Sequence, residues 1–139
     1  MLVRDIMSKR LVMLMPQETA YAAVKLMVEN NISGVIVEEG KKAVGIVTLK
    51  DVARRVIAEG RDVHRTYVSD IMSAPVVTIN HISQVENAAK LMGEKRLKRL
   101  VVVDDKNRAV GIVTAMDVIS NLPNLVEVMF KTWVKPDWR

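Results

Sequence analysis

The sequence predicts an α/β protein in which one β-α-β-β-α unit occurs twice in tandem. Segments of the first half return in the second half in the same order, and both halves show the same succession of strand and helix patterns. The chain has 139 residues, of which 50% are hydrophobic, so a sizeable core can form. This length suits two small repeats, and the composition excludes general disorder.

Three pairs of segments carry the repeat, at shifts of 65 or 66 residues. They occupy positions 3–8 and 68–73, 24–27 and 89–92, and 45–52 and 111–118. The first pair shares Asp-Ile-Met-Ser, and the third pair shares Gly-Ile-Val-Thr followed by an Asp three residues later. Matches in one order indicate a tandem duplication. We therefore expect one repeat over 1–65, a second over 66–122 and a separate tail over 123–139.

Each copy is expected to run strand, helix, strand, strand, helix. Runs rich in β-branched residues predict the strands, while Ala, Leu and Met at helical spacing predict the first helix of each copy. The first copy should contain a strand at 11–15, a helix at about 19–30, strands at 35–38 and 43–48, and a helix at about 49–59. The second should contain a strand at 76–79, a helix at about 84–96, strands at 100–103 and 109–114, and a helix at about 115–121. Ser83 and Glu86 have the spacing of a capping box.

The packing of the two copies follows from their size. A unit of about 60 residues buries too little apolar surface to fold securely alone. The strand at 100–103, Leu-Val-Val-Val, needs cover on both of its faces. We therefore expect two three-stranded sheets that pack sheet-to-sheet about a pseudo-twofold axis, with helices outside and two equivalent clefts between the copies.

The β-α-β-β-α order, the Asp-Ile-Met-Ser segments and the doubled Gly-Ile-Val-Thr-x-x-Asp together resemble a CBS-domain pair. This is the tandem cystathionine β-synthase repeat, also called a Bateman module, and the resemblance covers about 1–122. It implies a stand-alone, non-enzymatic regulatory module that binds an adenosyl ligand in the clefts and signals by conformational change. The implied ligands are AMP, ADP or ATP, and sometimes S-adenosylmethionine or NAD, with no catalytic cofactor. The resemblance also implies a homodimer.

Thr48 with Asp51, and Thr114 with Asp117, are the principal candidate ligand residues. Thr followed three residues later by Asp is also the pattern of a helix start, and capping by itself explains both residues. The free amides of a helix start attract an anion, whereas an Asp suits the hydroxyls of a ribose. The resemblance assigns these positions to the nucleotide, and capping and binding can coexist.

Lys98, Arg99 and Lys50 are the candidate phosphate contacts. By resemblance, basic residues just before this strand contact phosphate, although a basic run is commonly only a solvated surface. The first copy has no basic residue at the place of Lys98 and Arg99, and the second copy has Met116 at the place of Lys50. We therefore expect the two clefts to differ in affinity.

The resemblance also indicates where an adenine base would lie. It points to apolar strand edges, which in this sequence are Leu11, Val12, Pro75, Val76 and Val77. From the sequence alone these are ordinary strand residues, so this expectation depends on the family.

Two glycines precede the candidate Thr residues. Gly45 and Gly111 either mark a place where another backbone approaches closely or keep a side chain out of the ligand cleft. His64 and His81 are isolated, so no metal site is predicted. Because no catalytic triad, paired carboxylates or phosphate-binding glycine loop appears, a catalytic role is not expected.

The formal net charge of +5 points to an anionic partner. A small nucleic-acid-binding protein is one alternative function, but the sequence lacks a basic stripe with interleaved aromatics. A ligand-independent dimerisation module is another. Cysteine is absent, which excludes disulfides and thiolate zinc sites. No membrane-spanning run or signal peptide is visible, so a cytoplasmic location is expected.

The tail over 123–139 has its own pattern. Leu125, Val128, Met129 and Trp133 fall at helical spacing, which predicts an amphipathic stretch. It could cover the core of its own subunit or form a contact between subunits, where aromatic residues and Met are enriched. The resemblance to CBS pairs, which implies dimers, favours the second. The regulated target is expected to be an unidentified enzyme or transporter.

Overall fold

The computed structural model describes residues 1–121, which form two three-stranded sheets and five α-helices. The elements are α1 (Val3–Ile6), β1 (Met13–Leu14), α2 (Ala20–Asn30), β2 (Gly34–Glu39), β3 (Lys42–Thr48), α3 (Leu49–Val52), β4 (Thr78–Asn80), α4 (Val85–Lys95), β5 (Arg99–Val103), β6 (Ala109–Thr114) and α5 (Ala115–Asn121). A π-helical turn over Ala53–Ile57 continues α3, and a 3-10 turn spans Val68–Asp70. The predicted β-α-β-β-α order is confirmed in both copies.

The two sheets have the same topology. In the first, β2 pairs in parallel with β1 and antiparallel with β3. In the second, β5 pairs in parallel with β4 and antiparallel with β6. Each central strand has a register irregularity at the equivalent place, after Val37 in β2 and after Val102 in β5. The two copies therefore share even this irregularity in strand pairing.

The first strand of each copy is shorter than predicted. The strand expected at 11–15 is reduced to β1, and the one expected at 76–79 begins later, at Thr78. Pro75 has no amide with which to join a strand ladder, which favours the late start. As a result, Val12 and residues 75–77 lie just before the strands instead of within them.

The predicted capping box at Ser83 is wrong. Helix α4 has Gln84 at its N-cap, without a side-chain capping bond. The Val85 amide instead donates to the carbonyl of Met1 at 3.1 Å, and the Ser83 carbonyl accepts from the Val3 amide at 2.8 Å. The N-terminal segment thus supplies a backbone acceptor where the sequence pattern suggested a side chain.

Two compact units divide the structure, and their limits differ from those of the sequence repeats. Among the described residues, one unit is 11–77, and the other combines 1–10 with 78–121. The core of the 11–77 unit consists of Leu14, Ala20, Ala23, Met27, Val35, Val37, Val47, Val52, Val56, Val68 and Ile71. Val68 and Ile71 come from the segment that the repeat assigns to the second copy. The expected boundary at 65 follows sequence similarity, whereas the units follow packing.

The second unit is completed in the corresponding way. Helix α1 contacts α5 and β6, and Val3 is fully buried. The segment that begins each copy, before its first strand, therefore packs into the unit that contains the strands of the other copy. Within residues 1–121, no helix has the length and apolar character needed to cross a membrane. The predicted tail at 123–139, including Leu125 and Trp133, lies outside the described residues.

Candidate functional site

The turn from β3 into α3 brings Thr48 and Asp51 together in the 11–77 unit. The Thr48 amide donates to Asp51 Oδ2 at 2.9 Å, and the Asp51 amide donates to Thr48 Oγ1 at 3.1 Å. This reciprocal pair is a capping box, as the spacing predicted. The side chain of Asp51 is only 12% exposed, so its hydrogen bonds are strengthened by the low local dielectric. We call this pair the first corner.

Thr114 and Asp117 form the same arrangement between β6 and α5, which we call the second corner. The Thr114 amide donates to Asp117 Oδ2 at 2.8 Å, and the Asp117 amide donates to Thr114 Oγ1 at 3.2 Å. Asp117 is half-buried. Across residues 1–121, its other oxygen, Oδ1, has no hydrogen-bond or ion-pair partner. This oxygen can accept a hydrogen bond from a ligand.

The predicted phosphate contacts lie beside the second corner. Arg99 pairs in register with Thr114 across β5 and β6, and the Lys98 carbonyl accepts from the Ala115 amide at 2.8 Å. Lys98 is exposed, and Arg99 is half-buried and engaged in an interaction of its own. At the first corner, Gly34 takes the place opposite Thr48, and Lys50 is exposed on α3. Of the predicted phosphate contacts, Lys98 and Arg99 therefore adjoin the second corner, and Lys50 adjoins the first.

The residues predicted to contact adenine belong to the 11–77 unit together with the first corner. The Val12 carbonyl accepts from the Ile36 amide at 3.1 Å, so its backbone is tied to the sheet. Pro75 is exposed, while Val12, Val76 and Val77 are half-buried.

Gly45 lies directly under the second Asp-Ile-Met-Ser segment. A Cβ atom at Gly45 would lie 2.6 Å from Met72 Sδ and 3.1 Å from the Ser73 carbonyl oxygen. The neighbouring Ile46 exchanges two backbone hydrogen bonds with Ser73, of 2.9 and 3.1 Å. The interpretation of Gly45 as a site of close backbone approach is therefore confirmed.

Gly111 repeats this contact with the first Asp-Ile-Met-Ser segment. A Cβ atom there would lie 2.6 Å from Met7 Sδ and 2.7 Å from the Ser8 carbonyl oxygen. Ser8 and Ile112 exchange backbone hydrogen bonds of 2.8 and 3.0 Å. The two repeated motifs thus pack on each other, and each Met-Ser covers the glycine of the other copy.

Sequence reasoning missed two residues at the first corner. The Ser73 hydroxyl donates to Asp51 Oδ1 at 3.4 Å. Arg55 Nη1 donates to the carbonyls of Ile71 at 2.7 Å and Met72 at 3.1 Å, and it lies 4.0 Å from Asp51 Oδ1. The available signals were that Arg55 follows Asp51 by one helical turn and that Ser73 ends a repeated motif.

An apolar groove lies on the 11–77 unit, beside α2 and α3. Its volume is about 410 Å³, and it is lined by Tyr21, Val24, Leu49, Val52, Ala53, Ile57 and Val63. In the part of the chain that the structure describes, no group of three or more His, Cys, Asp or Glu is placed to hold a metal ion.

Comparison with known proteins identifies relatives over most of the chain. The family profile of the CBS domain matches residues 3–58 and 68–124. The CBS domain-containing protein YhcV of Bacillus subtilis is 35% identical over 119 residues, which are 86% of this chain and 84% of that protein. Protein MK0525 of Methanopyrus kandleri is 39% identical over 112 residues, which are 80% of this chain but only 57% of that protein.

Solved structures of similar fold include the CBS domain pair of protein MJ0100 in complex with 5′-methylthioadenosine and S-adenosyl-L-methionine. It has a TM-score of 0.78 and 32% identity, covering 89% of this chain and 96% of that one. A hexameric CBS-CP12 protein from bloom-forming cyanobacteria has a TM-score of 0.79 and 32% identity, covering 91% of this chain and 73% of that one.

Proposed function

The chain belongs to the CBS domain family, and we propose that it is a regulatory module that binds an adenosyl ligand at its two Thr-x-x-Asp corners. The ligand class is an adenine nucleotide, AMP, ADP or ATP. The MJ0100 complex adds S-adenosylmethionine and 5′-methylthioadenosine as candidates of the same chemistry. The observation that carries the proposal is Oδ1 of Asp117, a half-buried acceptor without a partner in residues 1–121, beside the basic pair Lys98 and Arg99.

Each residue type has a distinct role in this proposal. A carboxylate repels a phosphate but accepts hydrogen bonds from both hydroxyls of a ribose. We therefore assign the ribose to Asp51 and Asp117, and the phosphate to Lys98, Arg99 or Lys50. The base would contact Val12, Pro75, Val76 and Val77.

Regulation requires that the ligand discriminate between two conformations. A ligand shifts such an equilibrium only by the difference between its affinities for the two states. We propose no catalytic step for the chain itself, and the target is an unidentified enzyme or transporter.

A thermal-shift panel of AMP, ADP, ATP, NAD, S-adenosylmethionine and 5′-methylthioadenosine tests the function. A ligand at about 100 times its Kd stabilises the folded state by about 2.7 kcal/mol, so at least one should raise Tm. The shift should decrease in Asp51→Ala and Asp117→Ala. A panel without any shift would refute the function, and a full shift in both variants would refute the site.

Asp5→Ala is the matched control for these variants. Asp5 accepts a hydrogen bond from the Leu2 amide at 2.8 Å, three residues away, so it caps α1 as the other aspartates cap their helices. Its removal should lower Tm through the lost cap but leave the ligand-induced shift intact.

We further propose that the chain self-associates through the apolar groove. Tyr21, Leu49 and Ile57 are 43%, 46% and 62% exposed, and grouped apolar side chains of this kind mark protein interfaces. Ile57→Glu should lower the mass measured by light scattering. Ile82→Glu is the control, because Ile82 is 51% exposed and belongs to the other unit. Equal masses for the two variants would contradict this role of the groove.

A further inference from the structure

The aspartates of the two corners differ in their hydrogen-bond and ion-pair partners. Asp51 uses both oxygens: Oδ2 accepts from the Thr48 amide, and Oδ1 accepts from the Ser73 hydroxyl and faces Arg55 at 4.0 Å. Asp117 uses Oδ2 in the same way, but its Oδ1 has no partner within residues 1–121. A ligand hydroxyl therefore competes with Ser73 and Arg55 for Oδ1 of Asp51. At Asp117, none of the described residues competes for Oδ1.

Arg55 is fixed in place even though its side chain is 48% exposed. Its guanidinium donates to two backbone carbonyls, at 2.7 Å to Ile71 and at 3.1 Å to Met72. These bonds keep the positively charged guanidinium beside the carboxylate of Asp51.

The second corner has a neutral residue at the equivalent position. Asn121 lies 66 residues after Arg55, and its Nδ2 donates to the backbone carbonyl of Asp117 at 2.7 Å rather than to the carboxylate. Ser8, the counterpart of Ser73, uses its hydroxyl oxygen to accept from the Arg10 amide at 3.3 Å. At the second corner, Asn121 therefore stands in place of the arginine, and the Ser8 hydroxyl bonds the Arg10 amide instead of the carboxylate.

We infer that Arg55 weakens ribose binding at the first corner, and that the second corner is the tighter of the two. This inference rests on the proposed adenosyl ligand. A ribose diol binds an aspartate by donating its hydroxyl hydrogens to the carboxylate oxygens. At Asp51 the diol has to displace the Ser73 hydroxyl and compete with a fixed cation, whereas Asp117 Oδ1 has no partner among residues 1–121.

Calorimetric titration of the full chain with AMP tests the order of the corners. Asp117→Ala should abolish the tighter binding and Asp51→Ala the weaker. Both variants lose the hydrogen bond that the Thr amide donates to the aspartate, and Asp51→Ala also loses the contacts with Ser73 and Arg55. Loss of the tighter binding in Asp51→Ala would overturn the inference.

A second titration isolates Arg55. In the Asp117→Ala background, Arg55→Asn should tighten AMP binding about two- to fivefold, the range for releasing a partly exposed ion pair. Arg55→Lys should bind AMP as the parent does, because it keeps the charge. In the Asp51→Ala background, Asn121→Arg should weaken AMP binding.

The 2′,3′-dideoxy analogue of AMP separates this role from a structural one. It lacks both hydroxyls, so Arg55→Asn should leave its affinity unchanged. An equal change for both nucleotides would show that Arg55 attracts the phosphate or only holds the fold, and would overturn the inference. Failure of the whole thermal-shift panel would instead refute the proposed function, so the two failures are distinguishable.

Discussion

At the residue scale, the two glycines offer a test of how tightly the repeated motifs pack. Gly45→Ala places a methyl group against the flexible end of Met72, which can rotate away, and 3.1 Å from the Ser73 carbonyl, whereas Gly111→Ala meets the Ser8 carbonyl at only 2.7 Å. That carbonyl is held by its backbone pairing with Ile112 and cannot withdraw easily. We expect Gly111→Ala to lower the free energy of unfolding by about 1–3 kcal/mol, measured by urea denaturation, and Gly45→Ala to cost less.

Substituting each methionine by alanine separates the contact with the methionine sulfur from the contact with the backbone carbonyl. Met72→Ala should relieve most of the cost of Gly45→Ala in a double-mutant cycle, because the sulfur is the nearest obstacle. Met7→Ala should relieve only part of the cost of Gly111→Ala, because the carbonyl contact stays. Equal costs for the two glycine substitutions, or equal relief, would contradict this account.

At the element scale, the elements governed by local patterns were predictable. Strand β6 begins and ends where its run of β-branched residues placed it, and α2 begins one residue after its predicted start because Thr19 caps it through the Ala22 amide at 3.1 Å. The cap of α4 was mispredicted, since the acceptor of its Val85 amide is the Met1 carbonyl, more than 80 residues away in sequence. No local pattern carries information about such a distant partner.

The candidate site shows the same division between local and distant contacts. Thr48 and Asp51 are three residues apart, so their reciprocal hydrogen bonds could be anticipated from spacing. Ser73 is 22 residues from Asp51, and the carbonyls that hold Arg55 are 16 and 17 residues away from it. These contacts arise only once the segment at 71–73 packs against β3, and the sequence alone does not determine that packing.

At the scale of the whole molecule, the compact units predict which fragment folds. The 11–77 unit is contiguous in sequence and contains its complete core, including Val68 and Ile71, both fully buried. A fragment of residues 1–65 contains the whole first repeat but lacks both side chains. Fully burying an aliphatic side chain of this size contributes about 1.5–3 kcal/mol, a large part of the stability of a domain this small.

We therefore expect fragment 11–77 to show more helical circular dichroism and more cooperative urea unfolding than fragment 1–65, although their lengths are nearly equal. Ile71→Asp in fragment 11–77 is the matched control, because it buries an unpaired charge in the same core and should abolish cooperative unfolding. The sequence repeat favours the opposite result, since 1–65 is the duplicated unit. If fragment 1–65 unfolds as cooperatively as 11–77, Val68 and Ile71 do not complete the core; if only 11–77 does, the segment that begins the second copy completes the core of this unit.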